Sequence, residues 1–208
     1  MPETLTSFSQ NDYEIVKREI LCEGFMRLAR YTIIHRKFDG SWTDKFQRDI
    51  CERSPAAAVL PYDPVLDQVV LIEQFRAGAI SNPQSPWLIE IIAGLYEATE
   101  KPADVVIREA KEEGGCKILD LYPISQYFVS PGGGNETLAL FCGRVDASET
   151  GGIHGLANES EDIRCFTISL DEAYAMIQEG KIKTSPAIIS IQWLMLNREW
   201  LKQLWQTK

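Results

Sequence analysis

The segment from Gly94 to Cys116, GLYEATEKPADVVIREAKEEGGC, constrains this chain more than any other. Pro102 suits a first helical position and the pair Gly114-Gly115 a helix end, so a helix is expected between them. Within it Ala103, Val106, Ile107 and Ala110 follow the i, i+3, i+4, i+7 spacing of a stripe that packs on a sheet. At about 100° per residue, Glu109, Glu112 and Glu113 gather on a different face, within about 100° of one another. Glu109 and Glu113 stand one turn apart, near enough to share a ligand. Carboxylates crowded this way repel by roughly a few tenths of a kcal/mol per exposed pair. A divalent cation turns the repulsion into attraction, and hard oxygen donors suit Mg²⁺ or Mn²⁺ better than zinc. The plain alternative is a solvated acidic helix face, because Glu-rich helices are common.

Around that helix the chain reads as a β-rich globular protein. Ala57–Tyr62 is a buried strand stopped by Asp63-Pro64, and Gln68–Gln74 a β-branched strand after a turn. Leu88–Ala93 reads as one strand ending at Gly94, and further strands are expected near Ser125–Val129, Leu138–Val145 and Ile163–Ile168. Ser169 can cap a helix over Asp171–Glu179 with Gly180 just past its end. A last helix starts at Ser185-Pro186, with Ile189, Trp193, Leu196, Trp200 and Leu204 at helical spacing. Strands outnumber helices and do not alternate with them, so an α+β fold or mixed-sheet sandwich is expected. Residues 1–54 differ in character, with charged residues among short β-prone stretches such as Tyr31–Phe38. They are expected as a small β-rich N-terminal domain ahead of a main domain at 55–208.

Composition narrows the function classes. Among 208 residues, 45% are hydrophobic and 25% charged, the balance of a protein with a real core. A net charge of −9 and a pI near 4.8 argue against duplex nucleic acid or an anionic membrane as the main partner. No secretory signal is visible at the start, and the most apolar stretch, Ala187–Leu196, is too short to span a bilayer. Cys22, Cys51, Cys116, Cys142 and Cys165 are odd in number and lack a C-x-x-C, so they read as small core residues in a reducing compartment. A cytoplasmic protein is expected.

Spelled out, the segment Gly94–Cys116 is G-x5-E-x7-R-E-U-x-E-E-x-G-U, with U apolar and Glu100 and Arg108 at their fixed places. This pattern resembles the box of the Nudix hydrolases at every defined position. So many fixed positions in one short segment leave little room for coincidence. The resemblance implies a Nudix α/β/α sandwich with a mixed sheet and cleavage of a nucleoside diphosphate linked to another moiety. Gly94 would let the Ala93 carbonyl approach a metal. Arg108 would orient Glu100 or a box glutamate. Gly115 suits the left-handed end of the helix.

Beyond the box, the chain is similar along nearly its whole length to the bacterial ADP-ribose pyrophosphatases of that family. The similarity includes Gly24-Phe25, Glu52-Arg53, Ile72–Arg76, Ser130–Gly133 and Gly152–Ile163. It implies Mg²⁺-dependent hydrolysis of ADP-ribose to AMP and ribose 5-phosphate, with Mn²⁺ as a substitute. Ala93 (through its carbonyl), Glu109, Glu113 and Glu161 would hold the cations, with Glu112 binding through water or orienting the others. Glu159, in the long glycine-rich loop 147–162, would be the catalytic base. His154 is the rival base by its ordinary pKa, but reads better as a loop-packing residue, since the metal already acidifies the water. His35 reads as structural.

The resemblance also implies substrate-binding roles around the diphosphate. Arg53 and Arg76 would clamp it. Ser130 and Glu136 would touch the ribose portions. Phe25, Met26, Arg48 and Asp49 would hold the base, with Phe25 and Arg48 on opposite sides of the adenine. A buried core position is the competing reading of Phe25, and Asp49 stands where the nearest relatives are expected to carry Glu. Residues 1–54 would be exchanged between the subunits of a homodimer, so that each site draws on both chains. Two readings remain beside this one: a pyrophosphatase for another nucleotide sugar such as GDP-mannose, and a non-catalytic module that senses ADP-ribose.

Overall fold

The computed structural model describes residues 8–97, 99–156 and 160–206. These fall into two compact units. The first comprises residues 8–53 with Phe128–Glu136, and the second Ser54–Tyr127 with the chain from Thr137 onward.

In the first unit, β1 (Tyr13–Glu23), β2 (Arg27–His35) and β3 (Phe46–Glu52) form an antiparallel sheet in that order. Register sorts its side chains by the period of two. Ile15, Ile20, Ala29, Ile33, Ile50 and Phe46 share one face, while Lys17, Glu19, Arg30 and Asp49 share the other. On the apolar face Arg18 donates to Glu52 at 2.8 and 2.5 Å, and Tyr31 also donates to Glu52. These bonds hold the Glu52 carboxyl down at about 2, chiefly through Arg18. The sheet buries little of its own: Ala29 is inaccessible, but Ile15, Ile20 and Tyr13 are each nearly half exposed. The segment 128–136 joins this unit through Cys51, whose N–H donates to the Gly133 carbonyl at 2.9 Å.

The second unit is a mixed sheet between two helical layers. Its strands are β4 (Ala56–Asp63), β5 (Gln68–Phe75), β6 (Trp87–Glu90), β7 (Ile92–Leu95), β8 (Asp120–Phe128), β9 (Thr137–Arg144), β10 (Gly152–His154) and β11 (Ile163–Ser169). The order β10-β11-β5-β4-β9-β8 is antiparallel except where β4 runs parallel to β9, and β6 and β7 add to β5 and β4. All eight residues of β4 are buried because both of its faces are covered. Ala56, Ala58, Leu60 and Tyr62 face α2 (Leu170–Gln178) and α3 (Ser185–Gln206), whereas Ala57 and Val59 face α1 (Pro102–Gly114). Asp63 ends the strand by accepting the Val65 and Leu66 N–H groups at 2.8 and 3.0 Å. Ser169 and Glu172 cap α2 reciprocally, a capping box. No helix among the described residues is long and apolar enough to cross a membrane.

The structure revises several expectations. Leu88–Ala93 is not one strand but two, β6 and β7, which part at Ile91 to pair with different neighbours, β5 and β4. The buried face of α1 is rotated from the expected stripe: Val105, Val106, Ala110, Glu113 and Gly114 are buried, and Ile107 is exposed. The consequence is that Glu113 lies at the edge of the core. On α3 the buried residues are Ala187, Ile191, Leu194, Leu201 and Trp205, while Leu196 is 86% exposed. Trp193 and Trp200 instead gather around Tyr122. Only Cys116, Cys142 and Cys165 are core residues; Cys22 is exposed at the end of β1, and Cys51 is half-buried. The stretch 147–162 is not all loop, since β10 pairs there with β11.

Candidate active site

Strand β7 and helix α1 together place the acids of the box. Ala93 and Gly94 pair with Ala58 and Ala57 of the buried β4, which fixes the strand end rigidly. The carboxylate of Glu109 packs directly over Gly94. A Cβ at position 94 would stand 2.7 Å from Glu109 Cγ, so this glycine is required by close approach. One turn further, Glu113 Oε2 accepts the Ala93 N–H at 3.2 Å. Burial pushes the Glu113 carboxyl up to about 8; the Ala93 N–H opposes the shift, and the charges of Glu109 and Glu161 add to it. The helix then ends at Gly115, left-handed at φ 60°, as its position in the box requires.

Arg108 donates to Glu109 at 2.8 Å and to Glu112 at 3.2 Å. Of the two pairings open from sequence, it takes the box glutamates. Glu100 instead accepts the Glu97 N–H, at 3.0 Å. The chain after β10 returns to α1, where the Gly155 N–H donates to the Glu112 carbonyl at 3.4 Å. Glu161 folds onto this turn, its Oε2 accepting the Leu156 N–H at 3.0 Å. Glu159, the expected base, lies outside the described residues. Among the described residues no three His, Cys, Asp or Glu side chains form a ready-made metal cage. Glu113 and Glu161 each accept a backbone N–H, and Glu109 pairs with Arg108. The donor set of carboxylates and a backbone carbonyl nevertheless fits a hard cation.

In the same unit Arg76 is gripped by Glu90, with contacts of 2.8 and 3.2 Å, and Gln74 donates to that carboxylate at 3.3 Å. Glu90 was not singled out from sequence. Its signal is register: it lies opposite Ile72, inside a strand pair where a carboxylate needs a cationic neighbour.

The first unit carries the remaining expected residues. Arg53 pairs with Glu136 at 3.0 Å, and its backbone N–H donates to Asn135 at 2.8 Å. The Ser130 carbonyl closes the glycine turn by accepting from Gly133 and Gly134. Phe25 is 89% exposed in the turn between β1 and β2, so the core reading of it is excluded. Its neighbour Met26 is 46% exposed and contacts Cys51. Arg48 sits opposite Tyr31, four register positions from the Arg27–Glu52 pair beside the Phe25 turn. That is on the order of 13 Å along the sheet. Its guanidinium lies over Phe46, 4.8 Å from the ring centroid. Asp49 points from the opposite face and is held bidentately by Arg30 at 2.7 Å. Phe25, Arg48 and Asp49 are therefore not brought together within one chain. His35 packs edge-on against Phe46.

A mixed-sheet sandwich whose helix after a strand-end glycine carries three clustered glutamates has the architecture of a Nudix hydrolase. The NUDIX domain model matches residues 52–188, and the chain belongs to that family. It is 44% identical to an ADP-ribose pyrophosphatase of Escherichia coli O6:H1 over 98% of both chains. It is 43% identical to an ADP-ribose pyrophosphatase of Haemophilus influenzae, over 96% of this chain and 93% of that one. A GDP-mannose pyrophosphatase of Cronobacter sakazakii matches at 31% identity over 88% of this chain and 95% of its own.

Proposed function

We propose that the chain hydrolyses the diphosphate of ADP-ribose, adding water to give AMP and ribose 5-phosphate. What carries this reading is that the identity of 44% runs through 98% of the chain, well beyond the box, whereas the GDP-mannose enzyme matches at 31%. The Ala93 carbonyl, Glu109, Glu113 and Glu161 would hold Mg²⁺, with Glu112 orienting Arg108 or binding through water. A divalent cation bound there supplies charge neutralisation at the diphosphate and an acidified water. Glu159 takes the proton of the water that attacks the adenosyl phosphorus. Arg53 and Arg76 are each held on one edge by a carboxylate, Glu136 and Glu90, and keep exposed guanidinium surface for phosphate oxygens. Ser130 and Glu136 would meet the ribose.

The base would be held by Phe25 and Met26 of one subunit with Arg48 and Asp49 of the other. The separation of Phe25 from Arg48 on a single chain and the half-exposed apolar face of the three-stranded sheet support an exchanged homodimer. Sedimentation equilibrium is expected to give twice the chain mass. A cytoplasmic setting completes the reading.

The test is AMP release from a panel of nucleoside diphosphate derivatives in Mg²⁺. A higher kcat/KM for ADP-ribose than for GDP-mannose is expected. The reverse order would assign the nucleotide-sugar alternative, and ADP-ribose binding without AMP would assign a sensing module.

Two outcomes follow from the geometry of the acids. In Gly94→Ala the new methyl displaces the flexible Glu109 carboxylate but not the backbone, so folding survives. The Mg²⁺ concentration for half-maximal rate should rise by about tenfold or more, measured beside an unchanged thermal midpoint. The second outcome concerns pH. The folded Glu113 carboxyl is raised above its ordinary value to about 8, so folding favours the protonated form. Its stabilising share is complete at low pH and is lost as pH rises through about 8. A cation must expel that proton, so Mg²⁺ should raise the thermal midpoint more at pH 8.5 than at pH 6. Scanning calorimetry at the two pH values checks this.

A further inference from the structure

His154 is left unused by the chemistry above, yet it makes one of the closest fits in the second unit. Its imidazole occupies the space a side chain at Gly115 would fill: a Cβ there would lie 2.5 Å from His154 Cε1 and 3.1 Å from Nε2. The ring is held over that seat by a 3.0 Å hydrogen bond between Nε2 and the Gly151 carbonyl. Two further links converge on the same helix end. Gly155, the next residue, donates to the Glu112 carbonyl, and the strand before it is pinned where His154 pairs with the fully buried Ile163. Glu161 in turn is folded against Gly155 and Leu156. The chain from His154 to Glu161 is thus attached to the last turn of α1, the turn that carries Glu112 and Glu113.

We propose that His154 is a positioning residue that seats on Gly115 and thereby holds Glu161 against the acid-bearing end of α1 for shared cation binding. The final glycine of the box then has two functions in this chain: it ends the helix in the left-handed conformation, and it leaves the socket into which the loop histidine docks. The ring acts by shape and by its bond to Gly151; it neither touches substrate nor transfers a proton. The proposal rests on the reading of Glu161 as a cation ligand, and the two can fail separately.

Mn²⁺ binding to the substrate-free protein, followed by calorimetry, is the readout. Removing a group that orients a metal ligand weakens affinity about 10–100-fold. His154→Ala and Gly115→Ala are each expected to weaken Mn²⁺ binding about tenfold or more, without changing KM for ADP-ribose at saturating Mg²⁺. In a Glu161→Gln background, His154→Ala is expected to cost nothing further, because the ligand it positions is already gone. Gly115→Ala reaches the seat from the helix side, so the test does not depend on one variant folding. Unchanged Mn²⁺ affinity in His154→Ala, or a full additional loss in the double variant, would overturn the proposal while leaving Glu161 a ligand. Unchanged affinity in Glu161→Gln itself would overturn the ligand reading, and the positioning role with it.

Discussion

Glu113→Gln is expected to lower kcat/KM for ADP-ribose by about three orders of magnitude while leaving the fold at least as stable as before. The size follows from what is removed. A cation that stabilises developing charge contributes several kcal/mol, and each 1.36 kcal/mol is about tenfold in rate. Glutamine keeps the volume of the side chain and can still accept the Ala93 N–H through its amide oxygen. What it cannot supply is an anionic ligand. Stability should move the other way above neutral pH, because the wild-type carboxylate must ionise at a site only 5% exposed. A metal-free thermal midpoint that rises at pH 8.5 while turnover collapses would be the combined signature. A variant that keeps near-wild-type turnover would remove Glu113 from the site.

Glu159→Gln should have an effect of comparable size with a different kinetic profile. Loss of a general base costs about 10² to 10⁴ in rate. Since Glu159 takes a proton and holds no cation, the loss should fall on kcat, with KM and Mn²⁺ affinity unchanged. The acid limb of the pH–rate profile should also disappear, because the group whose ionisation it reports has gone. Unchanged turnover would pass the role to Glu161, Asp162 or His154, and the matching variants of those residues would separate them.

The box helix could be read closely from sequence because its signals are local. Pro102 and Gly115 mark its ends, and the spacing of Glu109, Glu112 and Glu113 sets their shared face. The direction that face takes was not local. Ala103 and Ile107 satisfy the helical spacing as well as Val105 and Gly114 do, and only docking on β4 and β7 decides that Glu113 turns inward. α3 shows the same ambiguity more strongly: it is apolar on most sides, so the stripe through Leu196 was as regular as the buried one through Leu194. The division of Leu88–Ala93 into β6 and β7 depends on two separate strand partners, which no local pattern encodes. Register, once known, also explains why the neighbours Arg48 and Asp49 face opposite ways. The pairing of Arg76 with Glu90 and the seat of His154 on Gly115 join residues 14 and 39 positions apart in the chain. Contacts of that kind leave no periodic trace.

Crystals grown with Mn²⁺ and a non-cleavable ADP-ribose analogue bear on the whole account. Anomalous density about 2.0–2.3 Å from the carboxylate oxygens of Glu109 and Glu113, with the same ion touching the diphosphate, is the predicted result. Density confined to the phosphates, with both glutamates still bonded to Arg108 and to the Ala93 N–H, would contradict it.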